Sequence, residues 1–225
     1  MLIENDSGRW KRLVVSGVLF IVVAAMIYKN SMLSGTIDTV LQALFASTHP
    51  NVHSGGRSLM VLISFLGSPK MDLVWTFIIA FFLWGFKYKI PALWAICTVI
   101  GGDVLGFIVK HIVKRARPAQ HMAKDDGYSF PSGHVLGFFL VAAVLFLVVI
   151  PLFRSAALRV ICQLLLIIFV ALLAVSRVYL LAHYPFDTIG AMLLGYTWLQ
   201  VAEWLYVIVA PWLKQHFRPV HNSLY

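Results

Sequence analysis

Apolar runs about as long as a bilayer crossing follow one another through most of this chain, and charge gathers at their ends. A helix of roughly 20 apolar residues crosses a hydrocarbon core about 30 Å thick. Runs that meet or approach that length lie at 13–28, 71–86, 91–109, 134–153, 160–181 and 185–213. The expected fold is therefore all-α, an integral membrane protein with six transmembrane helices in a single domain over residues 1–225. With 60% hydrophobic and 12% charged residues, the composition does not suit a soluble globule. The first run follows Arg9, Lys11 and Arg12 as a signal peptide's would, but no small-residue cleavage site comes after it, so a retained span is expected.

Between the first two spans, Ile37, Val40, Leu41, Leu44 and Phe45 recur at helical spacing, with Asp38, Thr39 and Gln42 on the other face. That pattern predicts a short helix lying at the membrane interface. The segment 58–66 is apolar but too short to cross alone, and Gly67-Ser68-Pro69 breaks it before the second span. Pro91 opens the third span and Pro185 the sixth, each suited to a first helical turn. Cys97 and Cys162 lie inside apolar runs and read as small buried side chains rather than a disulfide framework.

The formal charge of +9 does not point to nucleic acid, because the basic residues sit at the ends of apolar runs and form no continuous polar face. They report topology instead. Arg9, Lys11, Arg12, Lys87, Lys89, Arg154, Arg159, Lys214 and Arg218 share the side of both termini, which the positive-inside rule makes cytoplasmic. The other nine Lys and Arg residues fall opposite, and four of them, Lys110, Lys114, Arg115 and Arg117, crowd into one short piece. Clustering of that kind marks a site, so the site is expected to face outward.

Three blocks carry the chemistry. Lys110 and Arg117 are seven residues apart, which on a helix places them on one face about 10 Å apart. Together a flexible ammonium and a planar guanidinium suit an oxyanion such as phosphate, although a basic cluster drawing anionic headgroups reads equally well from this block alone. Lys114, Arg115 and His111 belong to that second category. In Pro131-Ser132-Gly133-His134, Ser132 is placed to cap a helix, Gly133 to open backbone N–H groups to an anion, and His134 to project from the first turn. Downstream, Ser176-Arg177 precedes His183 and Asp187, four residues apart across Pro185. A carboxylate there can hold one imidazole nitrogen and leave the other free to attack. The same residues with His111, His121 or His134 can also be read as metal ligands, but neighbouring Lys and Arg would repel a cation.

In residue, order and spacing, these blocks resemble the three-part signature of the type 2 phosphatidic acid phosphatase superfamily. The resemblance covers about 80 residues by motif, and the six-helix layout extends it over nearly the whole chain. It implies a membrane lipid phosphatase that uses neither metal nor other cofactor and works through a phosphohistidine. By that resemblance His183 is the nucleophile, Asp187 orients it, and His134 protonates the leaving oxygen and later helps activate water. Lys110, Arg117, Arg177, Ser132 and Gly133 hold the phosphate.

An outward site at the lipid boundary suggests a lipid phosphate or diphosphate whose tail stays in the bilayer, with no nucleic-acid partner. Undecaprenyl diphosphate and phosphatidylglycerol phosphate in a bacterial plasma membrane fit best, and phosphatidic acid remains a candidate. The loop 119–130, with Asp125, Asp126 and Tyr128, reads as solvated, or as a headgroup filter. Asp103 and Glu203 lie within spans, where an ionisable group faces protein or water. They keep a second class open, a lipid or ion transporter whose outward basic patch recruits cargo.

Overall fold

The computed structural model describes residues 2–46, 55–119 and 127–225, and regular structure among them is helical throughout. The helices are α1 (Arg9–Tyr28), α2 (Met32–Ala46), α3 (Gly55–Leu66), α4 (Pro69–Gly85), α5 (Lys89–Val113), α6 (Gly133–Val144), α7 (Ala156–Tyr179) and α8 (Pro185–His216). Beyond α6 the helix widens into a π turn over Leu145–Val149 ahead of Pro151, so that apolar run continues to Leu152. Five of these units are each long and apolar enough to cross a membrane. The 17-residue α4 qualifies only together with α3, from which it bends by 55°, so the described residues supply five or six candidate crossings. Ser68 caps α4, its Oγ accepting from Met71 N at 3.4 Å, and Pro69 occupies the first turn.

α8 packs against α1, α5 and α6, while α4 lies on α5 and α6, and α7 lies on α3 and α6. Close approach of α5 to its neighbours depends on Gly101, where a Cβ would press into Trp198 of α8, and Gly102, where it would press into Leu140 of α6; the Trp198 indole N–H donates to Thr98 O at 2.8 Å. Outward-facing side chains are strongly apolar, among them Ile21, Phe81, Phe107 and Leu165, each more than half exposed. So broad an apolar exterior suits lipid as its solvent. Cys97 is exposed on that exterior rather than buried, and Cys162 is half-buried; both are free thiols.

Both termini lie at one end of the bundle. Ile3, Ile90, Tyr206 and Val220 share a core there, and Leu224 N donates to Lys87 O at 2.8 Å. Glu203 accepts from Arg9 Nε at 3.2 Å, which tells its role as a staple between α8 and α1. Asp103 on α5 instead faces Asp72 on α4 across Gly137 of α6, the one place where a missing Cβ leaves room for both carboxyls. Asp72 is fully buried, with neither carboxyl oxygen hydrogen-bonded among the described residues.

The short helix expected between the first two spans is α2, and it carries its carboxylate inward. Met32, Leu33 and Val40 face outward, while Ser34 and Asp38 are buried against the protein. In a lipid surround, apolar side chains lose nothing by facing out, and a carboxylate gains by finding a cation inside.

Candidate active site

The three sequence blocks meet at the end of the bundle away from the termini, where α5 and α7 finish and α6 and α8 begin. Lys110 lies in the last turn of α5, which stops at Val113 with Lys114 in the left-handed conformation at φ 51°. Residues 114–118 then run without helix, because Pro118 disfavours helical geometry in the residue before it. Lys110 and Arg117 therefore do not share a helix face, as their spacing suggested. They are brought to one site by the chain reversal: Lys110 Nζ donates to Tyr128 O at 2.8 Å, and Arg117 Nε to Gly127 O at 3.0 Å.

Arg117 also reaches the third block, with Nη1 donating to Ala182 O at 2.9 Å and lying 3.4 Å from His183 Nε2. His183 sits in the short turn between α7 and α8, where its own N–H and that of Ala182 both donate to Arg177 O, at 3.2 and 3.0 Å. The Arg177 side chain is buried in the last turn of α7 and donates from Nη1 to Ser64 Oγ on α3. From the other side, Ser132 N donates to Asp187 O at 3.1 Å, joining the start of α6 to the start of α8. Ser132 stands at the N-cap position, yet its Oγ caps nothing, and it is buried without a hydrogen-bond partner among the described residues. A buried hydroxyl left this way suits a ligand oxygen. A Cβ on Gly133 would stand 4.0 Å from Lys110 Cε, so the α6 terminus and the ammonium adjoin. His134 follows in the same first turn, half-buried.

Asp187 is fully buried at the start of α8 and serves several partners at once. Its Oδ2 accepts from Tyr184 N at 2.9 Å, which caps the helix, and from Ser129 Oγ, and it lies 3.5 Å from His183 Nδ1. Its Oδ1 accepts from Arg115 Nη1 at 2.7 Å. The geometry puts the His183 proton on Nδ1 and leaves Nε2 as a base facing Arg117. Burial pushes the His183 imidazole down to about 4; Asp187 pulls it up, while Arg177 and Lys110 push it further down. At neutral pH the ring is thus neutral and able to act as a nucleophile.

Arg115, Asp38 and Ser129 escaped the sequence reading. Arg115 is not a headgroup-attracting surface cation: its side chain is 14% exposed and bridges Asp187 and Asp38. Burial works against its charge, but Asp187 and Asp38 outweigh burial and raise its value. Burial likewise pushes the Asp38 carboxyl up, with Arg115 and the Phe186 N–H pulling it back. One signal was available. In an extended stretch before proline, residues two apart share a side, which aligns Arg115 with Arg117. Of the outer loop's described residues, Ala119 and Gly127 are exposed, but Ser129 and Phe130 are buried and Tyr128 O holds Lys110. His121, Asp125 and Asp126 lie outside the described residues. His111 is exposed and stacks on Phe107, and among the described residues no three His, Cys, Asp or Glu side chains converge as a metal set.

Comparison with known proteins agrees with this arrangement. The chain superposes on the crystal structure of the first transmembrane PAP2 type phosphatidylglycerolphosphate phosphatase from Bacillus subtilis with a TM-score of 0.74, at 19% identity, over 92% of this chain and 98% of that one. It also superposes on Aquifex aeolicus LpxE with a TM-score of 0.56, at 21% identity, over 76% of this chain and 94% of that one. At these identities the likeness is one of fold. No curated protein matches the sequence. A family model, that of the PAP2 superfamily, matches residues 91–210, which hold all three blocks and more than half of the chain. The resemblance read from Lys110 through Asp187 is thereby established, and the chain belongs to the PAP2 superfamily, the type 2 phosphatidic acid phosphatases.

Proposed function

We propose that this protein removes a phosphate from a lipid phosphate or diphosphate through a phosphohistidine on His183. The observation that carries the reading is the orientation of His183, with Nδ1 towards Asp187 and Nε2 3.4 Å from Arg117 Nη1. In the first step Nε2 attacks phosphorus and the ester or anhydride P–O bond breaks. The leaving oxygen takes a proton from His134, and Asp187 steadies the imidazolium. In the second step His134 accepts a proton from water, whose oxygen attacks phosphorus, and the P–N bond breaks to release inorganic phosphate. Lys110, Arg117 and Arg177 hold the equatorial oxygens, with the Ser132 hydroxyl and the backbone at Gly133, where charge spreads in the transition state. Such a ring of cations leaves no electrostatic need for a metal ion.

Three further features belong to this proposal. With α4 counted as a crossing the number is six, which fits both termini lying at one end. By the positive-inside rule the basic residues at that end support a cytoplasmic end there and an outward site, and a bacterial plasma membrane is the setting this reading takes. The site's position at helix ends suits a phosphate at headgroup depth with its tail in the bilayer, and undecaprenyl diphosphate and phosphatidylglycerol phosphate are the favoured substrates. The second is the substrate class named for the Bacillus subtilis structure.

The test is inorganic phosphate release by detergent-purified protein with chelator present, across undecaprenyl diphosphate, phosphatidylglycerol phosphate and phosphatidic acid. His183→Ala is expected to lower turnover by at least about a thousandfold, because a covalent nucleophile has no substitute. The ranking of the three rates names the substrate. Equal release by folded His183→Ala protein rules the mechanism out, and no release from any lipid leaves a phosphate-binding transporter.

A further inference from the structure

We propose that Asp38, on the membrane-facing helix α2, is a positioning residue for the nucleophile, acting through Arg115 on Asp187 and through Asp187 on His183. The inference rests on the phosphohistidine reading above.

Asp38 is 1% exposed on a helix whose opposite side turns the apolar Met32, Leu33 and Val40 outward. A carboxylate this deep persists only if its oxygens are engaged. Both are: Oδ2 accepts from Arg115 Nη2, and Oδ1 from Phe186 N at 3.0 Å. Phe186 is the residue before Asp187. Asp38 thus grips the catalytic carboxylate twice, by the backbone of its neighbour and by the guanidinium at its Oδ1.

The geometry of Arg115 makes that grip directional. Its guanidinium carbon lies over the Tyr184 ring, 4.1 Å from the centroid, and one edge of the fork spans the two carboxylates, Nη1 to Asp187 and Nη2 to Asp38. With Asp38 holding Nη2, the fork meets Asp187 through Nη1. Oδ2 of Asp187 is then left for Ser129, the Tyr184 N–H and His183 Nδ1. Without Asp38 the whole fork turns onto Asp187, since a guanidinium and a carboxylate pair preferentially through two parallel hydrogen bonds. Oδ2 would be drawn from the imidazole, and the nucleophile would lose both its tautomer and its aim. Arg115 is therefore no phosphate ligand, because two buried carboxylates already share its charge. The helix in contact with lipid stands one ion pair from the catalytic dyad.

The test compares full-length detergent-purified variants on whichever of the three lipids the wild type cleaves fastest. Asp38→Asn is expected to lower kcat by about 10- to 100-fold, the usual loss when a group that orients a reactive ligand through an intermediary is removed. KM should stay within about twofold, because no phosphate contact changes. Asp38→Glu, which keeps the charge, should recover most of the rate. Asp38→Ala with Arg115→Ala should be no slower than Arg115→Ala alone, because the two act as a unit. A folded Asp38→Asn protein with wild-type kcat overturns the proposal, as do losses that multiply in the double variant. Should Asp38→Asn not fold, Arg115→Lys carries the same test: an ammonium has no planar fork to bridge two carboxylates, and wild-type kcat again overturns it. If the wild type releases no phosphate from any of the lipids, the phosphatase reading fails separately. The nitrogen resonances of labelled His183, assigned by their loss in His183→Ala, then decide alone. A shift of the Nδ1–H tautomer population in Asp38→Asn, or in Arg115→Lys if that variant stands in for it, supports the positioning role. An unchanged spectrum overturns it.

Discussion

Each end of the bundle holds a buried arginine paired with acid from another helix, and the two pairs do different work. At the terminal end Arg9 meets Glu203 at 3.2 Å and also donates to Glu4 O at 2.7 Å. That contact ties α1 to α8. At the site end Arg115 spans Asp38 and Asp187, and Asp187 passes the constraint on to His183, Ser129 and the cap of α8. Beside it stand side chains that a folded core alone does not explain: the Ser132 hydroxyl, buried with no hydrogen-bond partner among the described residues, and Lys110 and Arg117, which donate to the backbone carbonyls of Tyr128, Gly127 and Ala182. The Arg9–Glu203 pair holds two helices together, whereas Lys110, Arg117 and Ser132 converge where an oxyanion could be held.

The largest effect that sharpens this contrast is expected at Arg117. Arg117→Lys keeps the charge but loses the fork that reaches Gly127 O, Ala182 O and the face of His183 Nε2 together. A fall in kcat of about 100-fold follows, in line with removal of one preorganised donor from a transition-state oxyanion. Steady-state phosphate release measures it, and a lysine variant as fast as wild type would place Arg117 with the structural arginines.

A second, intermediate effect concerns pH. Burial lowers His183 from its ordinary 6.5 to about 4, so its neutral, nucleophilic form is complete at neutral pH and is lost only as pH falls through about 4. Single-turnover phosphoenzyme formation should hold a plateau from pH 7 down towards 4. A limb near 6.5 that disappears on perturbing the His183 site contradicts the buried, neutral imidazole.

The smallest catalytic effect is expected at the other end. Glu203→Gln keeps a hydrogen bond to Arg9 but removes the ion pair, at a cost to stability of about 2 kcal/mol. Thermal denaturation in detergent should show the loss while kcat stays at the wild-type value. A fall in kcat without loss of stability would join the two ends functionally and break the comparison.

Much of the frame was legible in the sequence, because lipid imposes a simple rule on apolar runs. The expected spans at 91–109 and 185–213 correspond to Lys89–Val113 and Pro185–His216, with Pro91 and Pro185 in the first turns. The three blocks were readable for a related reason, since charge next to hydrocarbon is costly and points to function. Errors came where a residue's neighbours lie far along the chain. Helical periodicity predicted a shared face for Lys110 and Arg117, but the left-handed Lys114 and the pull of Pro118 end α5 between them. The pattern of α2 gave its amphipathic stripe without saying which stripe meets protein.

What the sequence determined by itself was an all-helical chain of long apolar runs, the ends at which charge collects, and the residue types of the three blocks. Tertiary structure alone decided that Arg115 serves a carboxylate rather than a phosphate, and that Asp38 points inward. It also decided that Ser129 from the outer loop shares Asp187 with His183. The reason is physical: hydrophobicity acts residue by residue along the chain, whereas the partner of a buried charge is fixed only when segments more than 70 residues apart are packed together.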